Sequence, residues 1–304
     1  MTNRYAGRIW GIEGMDVFLH QILSGLATGG IYASVALALV MIYQSTHLIN
    51  FAQGEMAMFS TYIGWTLINA GMPYWAAFFL TVVIAFLIGA LIERVLIRPI
   101  EDSPHLVAVI VFVGLLIILN SLAGWIFGHA IQVFPSPFPT EPFFDNAYIS
   151  NHELGAIGVT LIVLSLVYVF FCFTSLGLAM RAAAQNPESS RLVGVRVGWM
   201  LALGWGMAAA VGSVAGMMVA PVVYLDPNMM SGILLYALAA ALLGGVENPG
   251  GAVLGGFIVG ILENVVGAYL VGTELKLTVA LVLIVGVLTF KPSGLFGTVH
   301  VTRV

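Results

Sequence analysis

The residues able to do chemistry in this sequence are few, and the most telling are acids in apolar surroundings. Glu55 follows the polar patch YQSTHLINFAQG (43–54), which lies between two apolar stretches, and Glu263 sits inside the apolar run from Ala252 to Val271. A charge at the middle of a bilayer costs roughly 2.5–3.5 kcal/mol on insertion scales, so such an acid rarely faces lipid. Asn50, Gln53, Glu55 and Glu263 are therefore candidates for lining a transport path or holding a broken helix, and the two acids also for carrying protons. Glu93, beside Arg94 near a predicted helix end, reads instead as a pairing or snorkelling residue.

A second group is basic. Three of the ten Lys and Arg residues, Arg181, Arg191 and Arg196, fall in the island from Thr174 to Gly198 between long apolar runs. By the positive-inside rule this island is a cytoplasmic loop. Its inner part carries the marks of a short capped helix. Asn186 can cap, Pro187 suits the first helical position, Glu188 complements the dipole, and Gly194 can end the helix. A helix built there is expected to dock a partner, with Arg181 and Arg191 meeting acidic groups on it. The plainer alternative keeps these arginines as membrane anchors.

Other chemistries lack their residues. Lys276 is followed by Leu277 and Lys291 by Pro292, so neither lysine belongs to a Walker-type phosphate loop. No His/Cys cluster has metal-ligand spacing, and no Ser is set in a nucleophile motif. His20, His47, His105, His129, His152 and His300 are scattered and read as interfacial or capping residues. No cofactor, metal or nucleic-acid partner is expected, and no enzymatic activity.

The elements that position these residues follow from composition. The chain has 304 residues, 60% hydrophobic and 8% charged, against roughly 25% charged in an ordinary soluble domain. The apolar runs are continuous and lack two-residue alternation, so helices rather than a barrel are expected. The fold class is an all-α integral membrane protein, a polytopic bundle of about 8–9 membrane segments in one permease domain over 1–304. Spans are expected at 15–42, 74–97, 106–127, 154–173, 199–224, 252–271 and 275–290. The pieces 56–70 and 229–246 are short for a span of about 20 residues and read as discontinuous or re-entrant. For 43–54 a loop at the membrane surface, with Glu55 in the first turn of a helix, remains the alternative. Residues 1–14 read as interfacial and not as a secretory signal, since Glu13 and Asp16 follow Arg4 and Arg8.

Small residues at Gly25 and Gly29, at Gly212 and Gly216, and at Gly251, Gly255, Gly256 and Gly260 mark close helix packing. The segment 128–153 has Pro135, Pro137, Pro139 and Pro142, with Glu141, Asp145 and Glu153 and no Lys or Arg, as in an external loop. The connection after Pro99 holds Glu101 and Asp102. Lys291 and Arg303 place the C-terminus in the cytoplasm. Whether residue 1 lies on the same side stays open, because it depends on how many of the three segments before Arg98 cross. LIERVL (91–96) resembles ILENVV (261–266), each ending the helix after a short segment, which fits an inverted repeat. Cys172, inside an apolar run, reads as inert packing.

With these residues in view, the chain resembles the permease subunits of ABC importers for branched-chain amino acids, the hydrophobic-amino-acid-uptake family. The landmarks are INFAQGE (49–55), Ile92-Glu93-Arg94 with Arg98-Pro99, Gly177 to Gly194 with Arg181-Ala182 and Asn186, Leu243-Gly244-Gly245 with Pro249-Gly250, and KPSGLFG (291–297). The family often has His or Gln at the position of Gln53 and Arg at that of Lys291. The resemblance implies a bacterial inner-membrane location and four kinds of association. These are two cytoplasmic ATPase subunits that bind the ATP, a second related permease in a heterodimer, a periplasmic binding protein, and the bilayer. It places the coupling helix at Asn186 to Gly194. Branched-chain amino acids are the implied cargo, with urea or short amides as the alternative. Glu55 and Glu263 keep a proton-coupled carrier open, and a passive channel is the third possibility.

Overall fold

Long apolar segments in lipid must satisfy their backbone internally, and this chain does so with helices. The structure, a computed structural model, describes residues 3–46, 48–100, 103–139 and 149–297, with side chains from Val17 onward except Ser45, His105 and Thr273. Expectations resting on His47, Glu101, Asp102, His105, Glu141, Pro142, Asp145, His300 and Arg303, or on the side chains of Arg4, Arg8, Glu13 and Asp16, fall outside these. The helices are α1 (Asn3–Thr46), α2 (Gln53–Asn69), α3 (Tyr74–Ile92), α4 (His105–Phe127), α5 (Asn151–Phe173), α6 (Ser175–Gln185), α7 (Pro187–Leu192), α8 (Val197–Val223), α9 (Ser231–Gly244), α10 (Pro249–Val266) and α11 (Lys276–Phe290). No strand occurs among the described residues; Gln132 and Leu225 form one antiparallel bridge.

Six helices are long and apolar enough to cross a membrane: Val17–Gln44, Tyr74–Ile100, Leu106–Phe127, Asn151–Phe173, Val197–Val223 and Pro249–Val271. With 17, 14 and 15 residues, α2, α9 and α11 fall short of the ~20 of a full span. The chain is thus a polytopic helical membrane protein with six full-length spans and three shorter pieces among its described residues. Helix α1 also begins earlier than expected, at Asn3, running through the stretch read as interfacial.

Helices α1 and α8 form the interior. Most of their apolar stretches are buried, whereas α4 and α5 are mostly exposed, with their large apolar residues pointing outward. Small residues explain how α1 reaches that position. A Cβ at Gly256 would lie 2.4 Å from Ala33 Cα, and one at Gly260 2.3 Å from Gly29 Cα. Helices α1 and α10 therefore touch backbone to backbone, as small-residue faces allow. Cys172, expected to be packed, is instead exposed on α5, because that helix gives most of its surface to the outside.

The packing is reciprocal. Helix α1 lies on α9 and α10, while α8 lies on α2 and α3. Each pair ends the same way: a short helix, a long one, a π-helical turn (Glu93–Ile97; Gly267–Val271), a 3-10 turn (Arg98–Ile100; Thr273–Leu275) and a further helix. Of the two similar segments, 91–96 straddles the passage of α3 into its π turn, whereas 261–266 lies wholly within α10, ahead of its π turn.

Two sequence landmarks prove to be one joint. Leu295 N donates to Leu243 O (2.7 Å) and Phe296 N to Gly244 O (3.2 Å), so the KPSGLFG segment takes up carbonyls at the end of α9 that a helix terminus leaves unpaired. Asn248 Nδ2 donates to Phe296 O (3.1 Å) while its Oδ1 caps α10 by accepting from Gly251 N (3.0 Å).

Candidate functional site

The break after α1 is held by its own side chains. Asn50 Oδ1 accepts from Ala52 N (3.0 Å), and Asn50 O accepts from Gln53 N (3.2 Å), turning the chain into α2. Asn50 and Gln53 are both fully buried. Gln53 Nε2 donates to Ala208 O at 3.1 Å, across the notch at Gly212, where a Cβ would meet Gln53 Nε2 at 2.5 Å. Ala208 lies inside α8 (Val197–Val223), about 16 Å along the axis from Val197 at 1.5 Å per residue. Helix α2 therefore starts near mid-depth, and irregular backbone there requires a protein-lined setting.

The first turn of α9 meets it. A Cβ on Gly54 would touch Leu234 Cβ at 3.4 Å and Met230 Cβ at 3.5 Å. From this meeting point α2 runs toward one end of the bundle, where Trp65 Nε1 donates to Val133 O (3.3 Å), and α9 toward the other, where Leu243 accepts from Leu295. Two half-length helices thus present their N-termini to one place, and N-termini carry the positive end of the helix dipole. Glu55, 6% exposed, stands in the first turn of α2. Asn120 Nδ2 on α4 lies 3.4 Å from Glu55 Oε2, 2.9 Å from Pro227 O and 3.2 Å from Asn228 Oδ1. Asn120 and Asn228 were not singled out from sequence; an Asn in the interior of an apolar run was the available signal for the first.

Glu263 stands elsewhere. Its Oε2 accepts from the Tyr32 hydroxyl (2.6 Å) and its Oε1 lies 3.7 Å from Lys276 Nζ. Lys276 Nζ also donates to Asn264 Oδ1 (3.2 Å), and Asn264 Nδ2 to Thr28 Oγ1 (3.0 Å). This network ties α1, α10 and the start of α11, and shares no residue with the partners of Glu55. Glu93 is 1% exposed and pairs with Arg98, through Nε at 3.4 Å and Nη2 at 3.3 Å. The neighbour expected to pair with it, Arg94, lies over the Trp199 ring at 5.1 Å instead. The π turn carries Arg98 back beneath Glu93, and Arg98 Nη2 also donates to Gly198 O.

The basic island forms two helices. Thr174 Oγ1 caps α6 by accepting from Gly177 N (3.0 Å), and Asn186 Oδ1 caps α7 by accepting from Ser189 N (2.9 Å), with Pro187 in the first turn. Gly194 has φ +88°, its N donates to Arg191 O (3.1 Å), and Val195 N donates to Ser190 O (3.0 Å). This double bond is a Schellman ending, which glycine accommodates at positive φ. Arg181, Asn186, Pro187, Glu188, Arg191 and Gly194 are all exposed. So are two residues that the charge pattern passed over: Leu192 and Val193, 88% and 79% exposed, form an apolar tip between Arg191 and Arg196.

The bundle has two distinct ends. Thr46, Arg98, Ser103 and Pro187 line one cavity at the island end. At the other end Ser24 Oγ donates to Glu153 Oε1 (3.0 Å) and His152 bonds Met218 O (2.8 Å) and Ser136 Oγ (2.9 Å). Residue 17 therefore lies toward the end opposite the island. Arg98, reached after α1, α2 and α3, lies with the island.

A family model described as branched-chain amino acid transport system / permease component matches residues 21–288. The chain is 32% identical over 306 residues to the high-affinity branched-chain amino acid transport system permease protein LivH of Escherichia coli K12, covering 94% of this chain and 98% of that protein. It is 29% identical to the corresponding BraD of Pseudomonas aeruginosa, covering 94% and 98%. It is also 27% identical to a probable LivH of Methanocaldococcus jannaschii, covering 93% and 94%. Matched from the first apolar helix to the last, the chain belongs to the family of branched-chain amino acid transport permease components.

Proposed function

We propose that this chain is the membrane-spanning permease subunit of an ATP-driven importer for branched-chain amino acids, with ATP hydrolysed on two separate cytoplasmic subunits. A related second permease and a periplasmic binding protein complete the assembly in a bacterial inner membrane, with the island end and the C-terminus cytoplasmic. The observation that carries this is the capped, exposed helix α7 with its apolar tip, in a chain of the permease family. Arg94, Arg98, Arg181, Arg191, Arg196 and Lys291 gathered toward that end agree with the positive-inside rule.

In this reading α7 enters a groove on an ATPase subunit. Leu192 and Val193 supply the contact, and Arg181 and Arg191 set its register with acidic groups. Closure of the ATPases moves α7, and through α6 and α8 it tilts the bundle between inward-open and outward-open states. The cargo passes where α2 and α9 meet. A zwitterion suits that place: helix N-termini favour its carboxylate and Glu55 favours its ammonium. Burial of Asn50, Gln53 and Glu55 within the bundle supports their assignment to this path. Glu263, bound to Tyr32 and Lys276, has the partners of a structural tie between helices. Urea or short amides, which need no charge pairing, are the alternative cargo.

The test is purification of the tagged chain in mild detergent with its neighbours, then leucine uptake into proteoliposomes. Two ATPase-type chains and a second permease should co-purify, and uptake should cease when the ATPase subunits lose hydrolysis. Uptake by this chain alone, driven by a pH gradient, would overturn the assignment in favour of a proton-coupled carrier.

A further inference from the structure

A cavity of about 250 Å³ lies at the island end, remote in its lining from the cluster around Glu55. Its walls come from every element that meets there: the end of α1, the π and 3-10 turns after α3, the start of α4, and α6, α7 and α8. Glu93 and Arg98 provide one acid and one base. Ile97, Ile100, Phe112 and Leu201 provide apolar wall.

The ion pair is slack. Its two contacts, 3.4 and 3.3 Å, exceed the 2.7–2.9 Å of tight charge-assisted bonds. Arg98 Nη1 makes no hydrogen bond among the described residues. A third wall residue, Trp205, is fully buried and adds ring surface to the apolar side of the cavity. An acid, a base with spare donors and an apolar wall in one small cavity match one ligand chemistry: an α-amino acid zwitterion with an apolar side chain.

We propose that this cavity is a second amino-acid site, facing the cytoplasm, through which accumulated product slows import. The proposal rests on the cargo class assigned above. The ligand's carboxylate accepts from Arg98, its ammonium donates to Glu93, and its side chain lies on the apolar wall. Ala184 and Pro187, on either side of the Asn186 cap, also line the cavity. A ligand there wedges between the docking helix and the turn joining α3 to α4, and opposes movement of one relative to the other. By linkage, a movement of α7 that changes the cavity changes the affinity for its ligand.

The experiment uses the complete transporter, with two variants that fill the cavity from different walls, Ala108→Leu and Leu201→Trp. Radiolabelled leucine is added to transporter in nanodiscs without binding protein, and uptake into proteoliposomes is measured with leucine on the ATPase side. Wild type should bind leucine, with 4-methylpentanoate and leucine amide, each lacking one charge, failing to displace it. Uptake should fall with leucine on the ATPase side. The filling variants should bind at least about tenfold more weakly and escape that inhibition. Absence of leucine binding or of product inhibition in wild type would overturn the site. So would full displacement by 4-methylpentanoate, or wild-type binding and inhibition kept in whichever filling variant remains folded. Those results would leave ATP-driven uptake intact, whereas failure of the importer assignment itself would show as no ATP-driven leucine uptake by wild type.

Discussion

Glu55 illustrates how much a single residue owes to its surroundings. In sequence it was an acid after a polar patch, equally consistent with a helix start at the membrane surface. In the fold it is the acid of a helix first turn, at a start near mid-depth, beside Asn120 and the first turn of α9. Replacing it with Gln keeps the shape and the Asn120 contact and removes the charge. Glu55→Gln is expected to insert and assemble normally, with leucine uptake lowered about tenfold or more, one decade corresponding to about 1.4 kcal/mol. Wild-type uptake kinetics would return Glu55 to a purely structural place in the first turn. Glu93 shows the opposite limit. Its need for a partner was foreseeable, but its burial and the choice of Arg98 over Arg94 were not. A regular helix would have left Arg98 five positions away, and the π turn is what brings it round.

Among the elements, α7 is the most legible, because capping chemistry is local. Asn186, Pro187 and Gly194 each act within a few residues, and each stands where its type is favoured. Gly194→Val places a β-branched residue at φ +88°, at a cost of about 1–2 kcal/mol for the left-handed backbone. The end of α7 should fray, seen as faster amide exchange at Ser190 to Val195, and ATP-driven uptake should fall while membrane insertion is kept. Unchanged exchange with normal uptake would exclude a coupling role for this ending. The small-residue stripe of α10 was legible as a packing face, but not the identity of its neighbour. Gly260→Val would drive a Cβ to 2.3 Å from Gly29 Cα. Overpacking of this kind costs about 1–3 kcal/mol or more. A lower melting temperature in detergent should result, and an unchanged one would refute the backbone contact between α1 and α10.

At the scale of the whole molecule, helices distant in sequence are tied by buried polar groups. Glu263, Tyr32 and Lys276 join α10, α1 and α11, and Lys276 reaches Asn264 and through it Thr28. Breaking one partner of such a pair strands the other, at up to about 3–5 kcal/mol where burial is complete. Lys276 remains partly exposed, so the loss should fall below that range. Lys276→Met should therefore melt at a lower temperature than the double variant Glu263→Gln with Lys276→Met, in which no charge is stranded. Equal melting points for the two would show that the pair is too well solvated to matter.

The sequence by itself determined the solvent, the helical class, the capped basic helix and the family resemblance, because each depends on composition or on spacing within a few residues. Hydrophobic run length, cap chemistry and glycine placement are readable without knowing what lies across the bundle. The tertiary structure alone decided what each break meets. Gln53 finds Ala208, the first turn of α2 finds that of α9, and KPSGLFG finds the end of α9. It also left 275–290, expected as a span, a helix of only 15 residues beside the two pieces already read as short, and turned Cys172 outward. These outcomes depend on which backbone groups remain unpaired and which small residues admit a neighbour. Their partners lie up to hundreds of residues away, where no local pattern reaches.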